Sequence, residues 1–205
     1  MTRVLVVDDH GFVRDALAEL FSKQEGFHVV GALASAALAE SCCEKLHPDL
    51  LVIDVCTDGG ASGLTAAEKI KKRFPEIKIV VISGFDEITY APRAKKIGAE
   101  GFVHKHKSMD VLLETVAAVL RGETRFPEPK TIPLPQGETP LTAREMEVLR
   151  LLCQHLTYAE IAAELHVSEA TVRYHKTNML AKTGFTKAVD LVFHMLQNGW
   201  INPLS

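Results

Sequence analysis

The stretch LLVIDVCTDGG, residues 50–60, decides the fold. Leu50 to Ile53 is an unbroken apolar run rich in β-branching, the pattern of a strand covered on both faces in a parallel sheet. It ends on an acid, Asp54, and passes into a loop carrying Asp58, Gly59 and Gly60. Burying a carboxylate is costly unless it is paired or meets a cation. Asp54 therefore belongs at the strand's C-terminal mouth, the edge at which open α/β sheets bind ligands. A single Asp there need do no more than start a turn. The flanking sequence gives it more to do.

Working outward, residues 1–121 alternate strand and helix signals. RVLVV, FHVVG, LLVID, KIVVIS and AEGFVH read as strands. Between and after them lie GFVRDALAELFSKQ, with a helical stripe of Phe12, Leu17, Leu20 and Phe21, then ASAALAESCCEKL, LTAAEKIKKRF, PRAKKIG and SMDVLLETVAAVLRG. Five strands alternating with five helical stretches make an α/β, doubly wound five-stranded parallel sheet. Residues 122–140 hold five of the nine prolines and read as a semi-extended linker. Residues 141–205 are all-α with four helices. Thr142 and Glu145 form a capping box, Ser168 is an N-cap and Gly184 a helix stop.

Composition narrows the classes. The chain has 205 residues, 47% of them hydrophobic, and no apolar run approaches the roughly 18–20 residues of a membrane span. MTRVLVVDDHG reads as a strand opening, not a secretion signal. Cys42, Cys43, Cys56 and Cys153 lack CxxC spacing and read as reduced thiols of a cytoplasmic protein. The net charge is −3, and the last segment, from residue 141, carries six basic and six acidic residues. Nucleic-acid binding must then come from a local patch.

In a sheet of this kind the first and third strands are neighbours, and both end in acid: Asp8 and Asp9 after VLVV, Asp54 after LVI. Three carboxylates at one edge repel unless a cation shares them, and hard oxygen ligands suit Mg²⁺. Ser83 and Lys105 end two further strands at that edge. Three acids, a hydroxyl and an ammonium form a phosphoryl-handling set with Asp54 as nucleophile. His104 and His106, flanking Lys105, read as surface polar groups in preference to metal ligands.

These residues resemble the receiver domain of bacterial two-component response regulators, a flavodoxin-like fold, over residues 1–121. The resemblance implies Asp54 as phosphoacceptor, Asp8, Asp9, Asp54 and the Cys56 carbonyl as Mg²⁺ ligands, Ser83 and Lys105 as the phosphoryl-contacting pair, and Phe102 as the switch aromatic. Two departures stand out. Receivers usually follow the acceptor with a Met-Pro or Leu-Pro turn and reach a glycine eight residues on; here there is no proline, and Gly63 comes nine residues on. That predicts a looser loop, with Asp58 as a turn cap in preference to a member of the metal's outer shell. Pro92 predicts a fourth helix beginning near Ala91.

The helices at 158–165 and 169–182 are joined by HVS, the tight turn of a helix-turn-helix. LTAREMEVL and EIAAELHVSEATVRYHKTNMLAKTG resemble the LuxR/NarL-type DNA-binding domain. The resemblance implies recognition of double-stranded DNA, with Arg173, Tyr174 and Thr177 facing base edges and Thr157, Thr171, Lys176 and Lys182 contacting phosphates. Leu152, Ile161, Leu165, Val172 and Leu180 are expected in the core. Tyr158 stands where that family usually has Asn.

A haloacid-dehalogenase-type phosphatase is excluded by Cys56, which occupies the place of that class's second acid. A nucleotide-binding enzyme is excluded by the lack of GxGxxG. The expected protein is not an enzyme but a NarL/FixJ-type transcription factor, phosphorylated by a sensor histidine kinase and dimeric on DNA. The alternative is a regulator controlled by oligomerisation or a partner without phosphorylation.

Overall fold

A computed structural model describes residues 1–57, 61–84, 90–128 and 141–201. They fall into two compact units, one holding the described residues up to 128 and the other those from 141 onward. The expected turn cap at Asp58, and Gly59 and Gly60, lie outside the described residues.

The first unit is built on a five-stranded parallel sheet of order β2-β1-β3-β6-β7, with β1 Thr2–Val7, β2 Phe27–Leu33, β3 Leu50–Asp54, β6 Lys78–Ser83 and β7 Gly101–His104. All five residues of β3 are buried, which is why its sequence shows no polar alternation. Alternate residues of each strand feed two cores. Leu5, Val7, Leu51, Ile53, Ile79 and Val81 face one, where α2 (Ala39–Leu46), α3 (Gly63–Arg73) and α4 (Tyr90–Lys96) pack. Val4, Val6, Leu50, Val52, Val80 and Ile82 face the other, under α1 (Gly11–Lys23) and α5 (Met109–Leu120).

The departures from expectation are local. Phe12, placed on the α1 core stripe, is 88% exposed, so that stripe starts with Val13 and Leu17. The helix expected through ASAALAESCCEKL breaks into a 3₁₀ turn, Ala36–Leu38, and α2, because Ser35 caps the turn through Ala37 N–H. The described α4, Tyr90–Lys96, carries Pro92, and residues 85–89, on which the expected start near Ala91 depends, lie outside the described residues. The loop after Asp54 is tied at its flanks. β4 (Cys56–Thr57) pairs antiparallel with β5 (Ala61–Ser62), and Thr57 Oγ1 accepts from Ala36 N–H at 2.9 Å. The expected looseness therefore does not extend to those flanks.

Nor does the chain leave the sheet at Gly122, where the linker was expected to begin. Arg125 N–H donates to the Glu100 carbonyl at 2.8 Å, and Phe102 N–H donates to the Arg125 carbonyl at 2.9 Å. This segment runs parallel to β7 and satisfies part of an edge that would otherwise be open. Phe126 packs against the first core beneath Lys95.

The second unit is four helices: α6 Ala143–Cys153, α7 Tyr158–Glu164, α8 Glu169–Thr183 and α9 Ala188–Gln197. The expected capping box of Thr142 and Glu145, the Ser168 N-cap and the left-handed Gly184 at φ 74° all hold. Ile161 and Val172 are fully buried, while Leu152, Leu165 and Leu180 pack at the edge of the same core. Among the described residues no helix is long and apolar enough to cross a membrane.

Candidate functional site

Parallel pairing puts the ends of β1 and β3 side by side, with Val7 opposite Ile53, so the acids that follow meet. Asp8 and Asp54 are buried and Asp9 is partly so. One ligand atom from each of Asp8, Asp9, His10 and Asp54 lies within 4.8 Å of the others. Lys105 enters from the end of β7, and its Nζ sits 2.8 Å from a carboxylate oxygen of both Asp8 and Asp54. Ser83, buried at the end of β6, is one residue beyond Ile82, the partner of Asp54 in the sheet. Cys56 lies two residues after Asp54 in β4, with its Sγ 3.7 Å from Tyr90 Oη.

The electrostatics follow from burial. Asp54 is pushed up to about 6, first by loss of water and then by Asp8 and Asp9, against the opposing pull of Lys105. Burial alone would lower the Lys105 ammonium, but Asp54 and Asp8 outweigh it and raise the group above its ordinary value. Asp8 Oδ2 and Asp9 Oδ1 are shielded from solvent without a well-directed hydrogen bond, although Lys105 Nζ and His10 Nδ1 each stand 2.8 Å away. Under-satisfied carboxylate oxygens of Asp8 and Asp9 beside a third acid, Asp54, fit a hard divalent cation such as Mg²⁺, with the His10 nitrogen at the edge of the group.

Phe102 is buried in β7, with its ring edge-on to His104 at 5.2 Å. His104 in turn stacks on His106 at 5.3 Å. His104 is itself buried, which corrects its reading as a surface group; only His106 is exposed. β7 is covered on both faces, so a polar residue in it is buried whatever its type.

On the second unit, α8 presents Arg173, Tyr174 and Thr177 to solvent. Lys176 and Thr171 are half-buried. The Thr177 hydroxyl donates to the Arg173 carbonyl at 2.9 Å, and Thr171 Oγ1 lies 2.9 Å from Ser168 Oγ. Thr157 caps α7 in a second capping box with Glu160. Lys182 departs from its expected place. Its Nζ pairs with Glu145 Oε2 at 2.8 Å, with the two side chains 23% and 3% exposed. Its charge is used inside the unit.

The family described as response regulator receiver domain matches residues 4–117, and bacterial regulatory proteins, luxR family, matches 139–195. The chain belongs to the response regulators. It is 31% identical to oxygen regulatory protein NreC of Staphylococcus epidermidis, covering 95% of this chain and 97% of that protein. It is 32% identical to response regulator protein VraR of the same species, covering 97% and 98%. A solved structure of the Salmonella typhimurium RcsB response regulator, described for its DNA interaction, is 25% identical with TM-score 0.61, covering 96% and 98%. The family is one of DNA-binding transcription regulators, not enzymes, and joins a receiver to a LuxR-type domain.

Some groups in this response regulator escaped the sequence reading. Arg14 donates to the Asp8 carbonyl at 2.8 Å and the Asp9 carbonyl at 3.3 Å, fixing the acidic pair. His10 adjoins the pair, and its adjacency in DDH was the available signal. The Thr157–Glu160 box was legible as Thr-x-x-Glu.

Lys182→Met should destabilise the LuxR-type unit by about 1–3 kcal/mol at neutral pH by stranding a buried carboxylate. Burial would raise Glu145, but bonds from Lys182 and Thr142 outweigh it and hold the carboxyl low. The stability this confers is complete above the ordinary carboxylate range and is lost as pH falls through it. The variant's acid-side loss should therefore be shallower. Urea unfolding at pH 7 and pH 4, followed by Trp200, the single tryptophan, reads both effects.

Proposed function

We propose that this response regulator accepts a phosphoryl group on Asp54 from a sensor histidine kinase in the cytoplasm and then binds specific double-stranded DNA as a homodimer. The observation that carries the reading is the Asp54 carboxylate, buried at a strand mouth between two further acids and one ammonium. An Asp54 oxygen attacks phosphorus; the bond to the donor nitrogen breaks, its electrons stay on the imidazole, and an acyl phosphate forms. Bound Mg²⁺, held by Asp8, Asp9, Asp54 and the Cys56 carbonyl, would neutralise charge on the transferring group. Lys105 is placed to exchange its Asp54 contact for a phosphoryl oxygen, and the Ser83 hydroxyl to donate to another. Phe102, in the strand that carries Lys105, is the group through which that exchange would be felt beyond the site.

On the DNA side, Arg173, Tyr174 and Thr177 are assigned to base edges and Lys176, Thr171 and Thr157 to phosphates. Lys182 is reassigned to holding α8 against α6, given its pair with Glu145. That RcsB is described for its DNA interaction supports assigning DNA binding to this chain.

The test is incubation of the full chain with acetyl phosphate and Mg²⁺, read by intact mass, oligomeric state and DNA affinity. A single added phosphoryl group, with a shift to dimer and tighter binding, is expected. Unmodified protein that already dimerises and binds DNA would instead establish control without phosphorylation. Arg173→Ala should cost about 1–3 kcal/mol at the preferred site and relax preference there.

A further inference from the structure

Tyr158 is the first residue of α7, fixed there by the Thr157–Glu160 box, and its half-buried ring packs against the core of the second unit. The Arg173 guanidinium lies over that ring, 4.6 Å from its centroid, and the Lys176 ammonium is 5.7 Å from the same centroid. Arg173 also donates to Glu169, at 3.5 Å, with the two side chains 58% and 50% exposed. These two contacts act differently on the arginine. A carboxylate occupies N–H donors and would have to release them to a base. A ring face attracts the cation and takes up no donor. A long, rotamer-rich side chain pays entropy to be held on DNA, and contact with a fixed ring settles part of that cost in advance.

We propose that Tyr158 is a positioning residue for base recognition: its ring, anchored on the core, holds Arg173 at the exposed face of α8 without itself occupying any of the guanidinium's donors. The inference rests on the reading of α8 as the base-contacting helix. The role belongs to the aromatic face and not to the hydroxyl, so phenylalanine should serve and leucine should not.

The test uses the full chain and a duplex that the parent selects from a randomised pool, together with the same duplex altered at single base pairs. Tyr158→Leu is expected to lose roughly three- to tenfold in affinity for the selected duplex. Discrimination against the altered duplexes should fall by the same factor, with the salt slope unchanged and the protein still folded by its Trp200 unfolding transition. Tyr158→Phe should match the parent. If Tyr158→Leu discriminates like the parent while Arg173→Ala does not, base reading by α8 stands and the positioning role is overturned. Equal weakening by Tyr158→Leu on all duplexes overturns it too. If Arg173→Ala itself discriminates like the parent, the α8 reading falls and this inference with it.

Discussion

Asp54→Asn is expected to take up no phosphoryl group from any donor and, in the absence of divalent cation, to be more stable than the parent at neutral pH. The first effect is complete because an amide is neither a nucleophile at phosphorus nor an anionic ligand. The second follows from the direction of the Asp54 shift, upward to about 6 and chiefly through burial. The folded chain holds that proton more tightly than the unfolded chain. Below the ordinary carboxylate pKa both forms are protonated and there is no penalty. As pH climbs towards 6 the unfolded chain has already released its proton, and the cost of ionising Asp54 in the fold accumulates. Above that range the cost is constant, about 3 kcal/mol for a carboxyl raised from the ordinary aspartate range to about 6. Asparagine mimics the protonated form, so a gain of about 1–3 kcal/mol is expected at pH 7, shrinking to nothing near pH 4. Lys105 keeps its Asp8 partner at 2.8 Å, so the substitution leaves no stranded ammonium. Added Mg²⁺ should stabilise the parent more than the variant and narrow the gap. Melting curves at both pH values, with and without Mg²⁺, check this; a variant less stable than the parent at pH 7 would refute it.

What the sequence disclosed and what it withheld divide along physical lines. β1, β3 and β6 were legible because burial on both faces leaves unbroken apolar runs, and the acids ending β1 and β3 and the hydroxyl ending β6 were legible because strand mouths of one sheet face one way. Thr142 with Glu145, Ser168 and Gly184 were legible because capping is local, spanning no more than four residues. The misreadings depended on partners distant in sequence. Lys182 was expected at DNA phosphates, and its pairing with Glu145, 37 residues earlier, could not be read from the sequence. His104 looked like a surface group because its neighbours Lys105 and His106 are polar, yet it sits in a strand covered on both faces. Arg125 looked like linker because prolines follow it, while its backbone partners are Glu100 and Phe102. Phe12 kept the helical spacing of a core residue, but α1 turns it away from the sheet. Periodicity states which positions share a face, not where that face stops being covered.

Gly63→Ala should be the most damaging single-methyl change in the receiver. A Cβ at Gly63 would stand 1.7 Å from the carbonyl oxygen of Asp54 and 2.9 Å from its carbonyl carbon. Both are main-chain atoms of the strand that carries the nucleophile, so no side chain can swing aside. Gly63 N–H donates to the Val55 carbonyl at 2.8 Å, which pins the first turn of α3 to the end of β3. Its backbone conformation is not the reason for glycine; space is. On either side of the loop β4 and β5 pair antiparallel, with Cys56 opposite Ser62, and Gly63 follows directly, against Asp54. Alanine forces α3 outward or displaces Asp54 from Lys105, and either costs about 3–5 kcal/mol, at the severe end for a single substitution. Urea unfolding of the receiver should show that loss, and phosphorylation of the surviving folded protein should be slowed. A neighbouring control, Ser62→Ala, removes only the α3 N-cap, whose Oγ accepts from Thr65 N–H at 3.3 Å. It should cost about 1 kcal/mol. If the two variants lose equal stability, the close approach at Asp54 is not what requires glycine. If Gly63→Ala is far worse, the site depends on a contact between main chains that no side-chain pattern announces.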